Sequence, residues 1–210
     1  MFFIPEVMVF AIDCFSPYNL SCKVTSRNIF DGLELENVRF GPKTRSSSGA
    51  GNFEISAGNV KIKLKEMSVF YRRQIVLDCL FEQTLFEGDL ANVLSRQRND
   101  VLAASFDGAH KYKKIIFTFL TNKNFVEISG FNAESKDIKV SGEYTYFKRQ
   151  ENVRMNVKVA FSPEVFSTFE DDFIRGNMLS MDSDGWYSTI IEYKGNPELL
   201  KAISTVIIPG

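Results

Sequence analysis

The chain has 210 residues, of which 44% are hydrophobic and 24% charged, so it is long enough for a proper core and too apolar for bulk disorder. A net charge of −1 argues against a general nucleic-acid role, which needs a clear cationic excess. Three cysteines (Cys14, Cys22, Cys79) without a CxxC pair argue against a zinc site and a disulfide framework, and leave open whether Cys14 and Cys22 pair.

The first segment, MFFIPEVMVFAIDCF, is too short and too interrupted by Pro5 and Glu6 to span a bilayer. Val7, Met8, Phe10, Ala11 and Cys14 follow helical spacing, which predicts a short amphipathic helix over 1–18. That helix would pack on a sheet edge or lie near a membrane, or be the stub of a removed membrane anchor. Residues 19–210 read as one β-rich domain.

In DGLELENVRF the apolar positions change phase, from Leu33 and Leu35 to Val38 and Phe40, which predicts a β-bulge near Asn37. The following GPKTRSSSGAGN lacks the order of a phosphate-binding loop. NFEISAGNVKIKLKEM and QIVLDCLFEQTLFEGDL read as strands broken at Gly58-Asn59, at the Tyr71-Arg72-Arg73 turn and near Gln83. Lys61, Lys63 and Lys65 alternate with Val60, Ile62 and Leu64 and form a solvated strand face. Asn92 to Ala104 suits either a helix or a loop. VLAASFDG, KKIIFTFL and NFVEISGF continue the strand pattern, with turns at NKN and AESKD.

The clearest signal is Ile138 to Phe161, IKVSGEYTYFKRQENVRMNVKVAF, where two alternating runs meet at a polar turn. Val153, Met155, Val157, Val159 and Phe161 share one side of a strand, and Arg154, Asn156, Lys158 and Ala160 the other. Ser162-Pro163-Glu164 then starts a helix carrying Val165, Phe166, Phe169 and Phe173 as an apolar stripe. MLSMDSDGWYSTIIEY predicts a hairpin turning at Ser183-Asp184-Gly185, and PELLKAI a last helical piece. The fold class is therefore mainly β, a long curved antiparallel sheet of about ten to twelve strands with two or three short helices.

Chemistry is sparse. His110, the single histidine, sits in a polar DGAHKYKK turn, and GxSxG and HExxH are missing. Asp182 and Asp184 give a fragment of a calcium loop without its distal Glu. No catalytic residue, metal site or cofactor is assigned, and the chain reads as a non-enzyme. Twenty Phe against a single Trp supply apolar area without polar atoms, which suits a dry core or a groove for an apolar ligand.

Several stretches resemble the AsmA-like envelope proteins and the related type II secretion system N protein. DGLELENVRF is similar to their early "fdGlxLxnV" strand, and GNVKIKLKEM and LFEGDL to later paired strands. IIEYKGNP resembles their closing motif but lacks its Thr. The resemblance implies a strongly bent sheet with an apolar inner face on the periplasmic side of the inner membrane. It also implies a role in lipid transport or, alternatively, as a structural component of a type II secretion system acting through protein contacts. The expected partners are a phospholipid or other apolar ligand and envelope or secretion-system proteins, with no nucleic acid. The inner face would be lined by Phe117, Phe119, Val140, Tyr144, Tyr146, Val153, Met155, Val157, Val159 and Phe161, with Glu143 and Lys158 pointing outward.

Overall fold

The computed structural model describes residues 18–26, 32–42, 53–68, 73–88, 111–168 and 180–196. These build one open, wholly antiparallel sheet of ten strands. They are β1 (Tyr18–Ser26), β2 (Leu33–Pro42), β3 (Phe53–Ser68), β4 (Gln74–Gly88), β5 (Lys111–Thr121), β6 (Phe125–Ser135), β7 (Ile138–Phe147) and β8 (Asn152–Phe161). A six-residue helix α1 (Pro163–Thr168) follows, then β9 (Ser180–Met181) and β10 (Tyr187–Gly195). Strands β1 to β8 lie side by side in chain order, and β10 inserts between β8 and β9.

Turn chemistry sets the reversals. Asn122 Oδ1 accepts the backbone N–H groups of Asn124 and Phe125 between β5 and β6. Ser135 Oγ accepts the N–H groups of Asp137 and Ile138 between β6 and β7. Gly185, at φ 79°, closes the β9–β10 turn, donating its N–H to the Asp182 carbonyl at 2.9 Å. The predicted hairpin at Ser183-Asp184-Gly185 is therefore present. Ser162 caps α1 by accepting the Val165 N–H, with Pro163 as the first helical residue. Of the predicted helices, α1 is the one among the described residues. The 1–18 helix, apart from Tyr18, which begins β1, lies outside them, as do Asn92–Ala104, Phe169, Phe173 and PELLKAI.

One register row crosses every strand but β9: Val24, Leu35, Val60, Phe81, Ile115, Ala133, Val140, Val159 and Thr189 stand opposite one another in succession. Direct opposition puts them on one face, the inner one. Tyr112, Ile138, Phe161 and Ile191 extend this row into a fully buried cluster, against which Val165 of α1 packs. Phe166 of α1 stacks on Tyr187 with ring centroids 3.7 Å apart. Each such buried side chain contributes about 1.5–3 kcal/mol relative to exposure.

The inner face survives a change of phase. Buried residues are spaced by three, not two, at Leu35/Val38, Ala57/Val60 and Tyr112/Ile115, and inward Phe81 and Thr84 repeat the step in β4. The extra residues, Asn37, Gly58, Gln83 and Lys113, fall opposite one another in four adjacent strands, so pairing between β2, β3, β4 and β5 keeps its register across them. Against β1 and β6, which lack the insertion, the register shifts. Asn37 and Gln83 take left-handed φ values of 52° and 54°. A Cβ on Gly58 would stand 3.0 Å from the Gln83 side-chain oxygen. The bulge predicted at Asn37 is thus one member of a transverse crease. The breaks predicted at Gly58-Asn59 and near Gln83 are corrected: β3 and β4 run straight through both points, because every neighbour slips together.

A second bulge lies in β6. Gly130, at φ 59°, is the extra residue between Ile128 and Phe131. Opposite Phe131, Gly142 passes so close to β8 that a Cβ would lie 2.8 Å from the Val157 Cα.

Left-handed backbone is unfavourable for β-branched residues. Gln83→Val is expected to destabilise the protein by about 1–2 kcal/mol, whereas Gln83→Gly is expected to be neutral or stabilising by up to about 1 kcal/mol. Urea denaturation of the two variants checks the sign; equal effects would mean that the φ value at the crease does not matter.

Candidate functional site

By strand register the ten side chains expected on the inner face share one face of the sheet, that of the buried core. Val140, Val159 and Phe161 belong to the buried core, and Val153 is likewise fully buried, with exposures of 3%, 0%, 0% and 0%. Phe117, Phe119, Tyr144, Tyr146, Met155 and Val157 are half-buried. Glu143 and Lys158 face the other way, Lys158 donating to Asp182 at 2.7 Å.

One buried cluster lies toward the β6–β7 turn and α1, and a second, Leu33, Leu35, Val38, Ala57 and Val60, lies on β2 and β3; Val153 is buried apart from both, beside the β7–β8 turn. Toward the β3–β4, β5–β6 and β7–β8 turns, a parallel register row runs Leu64, Leu77, Phe119, Ile128, Tyr144, Met155 and Tyr193. Every member of this row is half-buried. Tyr193 ends it by donating its hydroxyl to the Asn196 carbonyl and lying across Gly195. Between strip and core stand Ile62, Cys79, Phe117 and Val157, with Phe117 stacked on Phe81 at 5.7 Å and tilted against Phe131 at 6.2 Å. The sequence pattern reveals the face but not this division, since both rows alternate equally well.

The strip has almost no polar chemistry. Its hydroxyls belong to Tyr144 and Tyr193, and burial, followed by the neighbouring Tyr146, raises the Tyr144 pKa. Cys79 is a free thiol pushed up to about 11, first by burial and then by the adjacent Asp78 carboxylate. Such a thiol is protonated at neutral pH and is a poor nucleophile. Burial also raises Tyr112 and, more weakly, Cys22. Among the described residues no group of three or more His, Cys, Asp or Glu could hold a metal ion. His110 and Cys14 lie outside them.

The opposite face carries the ion pairs. Lys61 meets Glu34 at 2.6 Å directly across β2 and β3, and Lys65 meets Asp78 at 3.6 Å. Both are solvent-screened and contribute little. Here the β6 bulge leaves an open depression of about 340 Å³ bordered by Lys61, Lys63, Leu80, Ile116, Thr118 and Gly130. Within its lining Thr118 donates to Asp78 at 2.8 Å. Sequence reading missed this depression, because it depends on Gly130 being the unpaired residue.

No family model, curated protein or solved structure matches the chain. No helix among the described residues is long and apolar enough to cross a membrane.

With Cys14 and Cys22 replaced by Ser, alkylation of Cys79 by iodoacetamide at pH 8 should run at least about a hundred-fold slower than for an unhindered cysteine. Urea should restore the ordinary rate. Fast labelling in the folded protein would show that the inner face admits solvent down to Cys79.

Proposed function

We propose that this protein is a non-enzymatic carrier or docking platform for an apolar ligand, of lipid type, held on the inner face of the sheet. The observation that carries the reading is the half-buried row from Leu64 to Tyr193, which crosses seven strands with Tyr144 and Tyr193 as its two members that carry a polar atom. A monomer keeps contiguous exposed apolar area small unless something else covers it. An acyl chain matches the row's chemistry: it needs no hydrogen-bond partner, and the row offers few. Dispersion and water exclusion would supply the affinity, with the Tyr144 hydroxyl within the row as a polar contact for a head group. The likeness of DGLELENVRF and LFEGDL to AsmA-like strands supports the same reading, and with it a place at the periplasmic face of an inner membrane. Among the described residues of this face the ionisable side chains are tyrosines and cysteines, with Tyr112, Tyr144 and the Cys79 thiol raised by burial, a poor set for acid–base or nucleophilic catalysis.

Extraction of the purified protein followed by lipid mass spectrometry, and displacement of a fluorescent fatty acid, test the reading. Phe119→Arg or Met155→Arg places a charge on the half-exposed strip, where the guanidinium can reach water, and is expected to lower ligand affinity at least about ten-fold while leaving the fold intact. Val159→Asp buries an unpaired charge and is expected to unfold the protein. Unchanged ligand binding in both strip variants would sink the proposal.

A further inference from the structure

We propose that the end of the sheet bearing the β3–β4, β5–β6 and β7–β8 turns docks on an anionic lipid bilayer. Strict antiparallel order brings these three turns to one end, over a width of about 24 Å for six strands. They carry Arg73, Lys123, Lys148 and Arg149, all exposed, against Glu151 as the acidic side chain described in the turns themselves. That excess stands out in a chain of net charge −1.

The cations are neither cancelled nor loosely strung. Lys148 donates to the Asn122 carbonyl at 2.6 Å and to Thr121 Oγ1 at 3.2 Å. Both acceptors are neutral, so its charge persists. Together with the Lys148 N–H to Asn124 carbonyl bond at 2.8 Å, these contacts clamp the β7–β8 turn against the β5–β6 turn. No ion pair engages Arg73, Lys123 or Arg149 among the described residues.

Apolar side chains share this end. Met67 and Ile75 stand opposite each other on the inner face, 57% and 40% exposed. Val126 and Tyr146 continue their row on β6 and β7. A cationic rim around exposed apolar residues and a tyrosine matches a bilayer interface, where headgroups meet the cations and the acyl boundary takes the Met and Ile. An acidic protein surface would satisfy the charges but leave Met67 and Ile75 uncovered. Docking in this pose would point the half-buried strip at the bilayer. The docking itself stands whether or not the strip takes a ligand.

Co-sedimentation with vesicles tests it. The protein is expected to bind phosphatidylcholine–phosphatidylglycerol vesicles, to ignore pure phosphatidylcholine, and to bind less as salt rises. The triple variant Arg73→Gln, Lys123→Gln, Arg149→Gln removes cations that form no ion pair among the described residues. It should bind about a hundred-fold more weakly with an unchanged circular dichroism spectrum. Met67→Ser with Ile75→Ser should weaken binding about ten-fold at constant charge. Absence of wild-type binding to the anionic vesicles overturns the proposal, as does wild-type affinity in the triple variant. Full binding by the Met67/Ile75 variant overturns the apolar contact and leaves an electrostatic surface suited to acidic proteins. Phe119→Arg, which tests ligand binding, should leave vesicle binding intact, so the two ideas fail independently.

Discussion

The structure depends on four strands slipping phase at the same place. In an extended strand an unmatched extra residue exchanges the two faces beyond it, sending apolar side chains into water. Asn37, Gly58, Gln83 and Lys113 each add that residue, and because they stand side by side the exchange is matched from β2 to β5. Leu35 and Val38, or Tyr112 and Ile115, therefore remain on one side although three residues apart. Insertions of this kind bend strands and increase their twist. Bending is what a single layer needs if Tyr112, Ile138 and Phe161 are to be fully buried with no second sheet among the described residues.

That bend divides one chemically uniform face into two regimes. Near α1 the side chains touch only one another, and substitution there acts on folding. Near the opposite end the same alternation continues with partial exposure, and substitution acts on whatever meets the surface. Phe161 and Phe119 thus differ in role though not in type. The polar face does something simpler. Its Lys61–Glu34 pair joins neighbouring strands and its Lys158–Asp182 pair ties β8 to the β9–β10 turn, neither adding much stability.

Much of this was legible in the residues. The run Val153 to Phe161 announces its strand by strict alternation, Asn122-Lys123-Asn124 and Asp184-Gly185 announce their turns, and the step from Leu35 to Val38 announces its bulge. At Gly58 and Gln83 the same kind of step looks like the end of a strand. One chain segment cannot distinguish a stop from a slip, since the difference lies in whether the neighbouring strand slips too. The division of the inner face into core and strip is hidden for a related reason: burial depends on which strands pack together across the bent sheet, and period two does not encode it. Arg73, Lys123 and Arg149 are far apart in the chain, and only the order of strands unites them.

Because each strand from β1 to β8 pairs with its immediate chain neighbour, the strand pairings among the described residues run almost entirely between successive strands. Such a meander behaves as a quasi-one-dimensional array in which each unit leans on the next. Gain or loss of a whole hairpin would lengthen or shorten the sheet without re-threading the remaining strands. The span of the inner row is therefore a dimension that evolution, or an engineer, can adjust in steps of two strands, about 10 Å at a time.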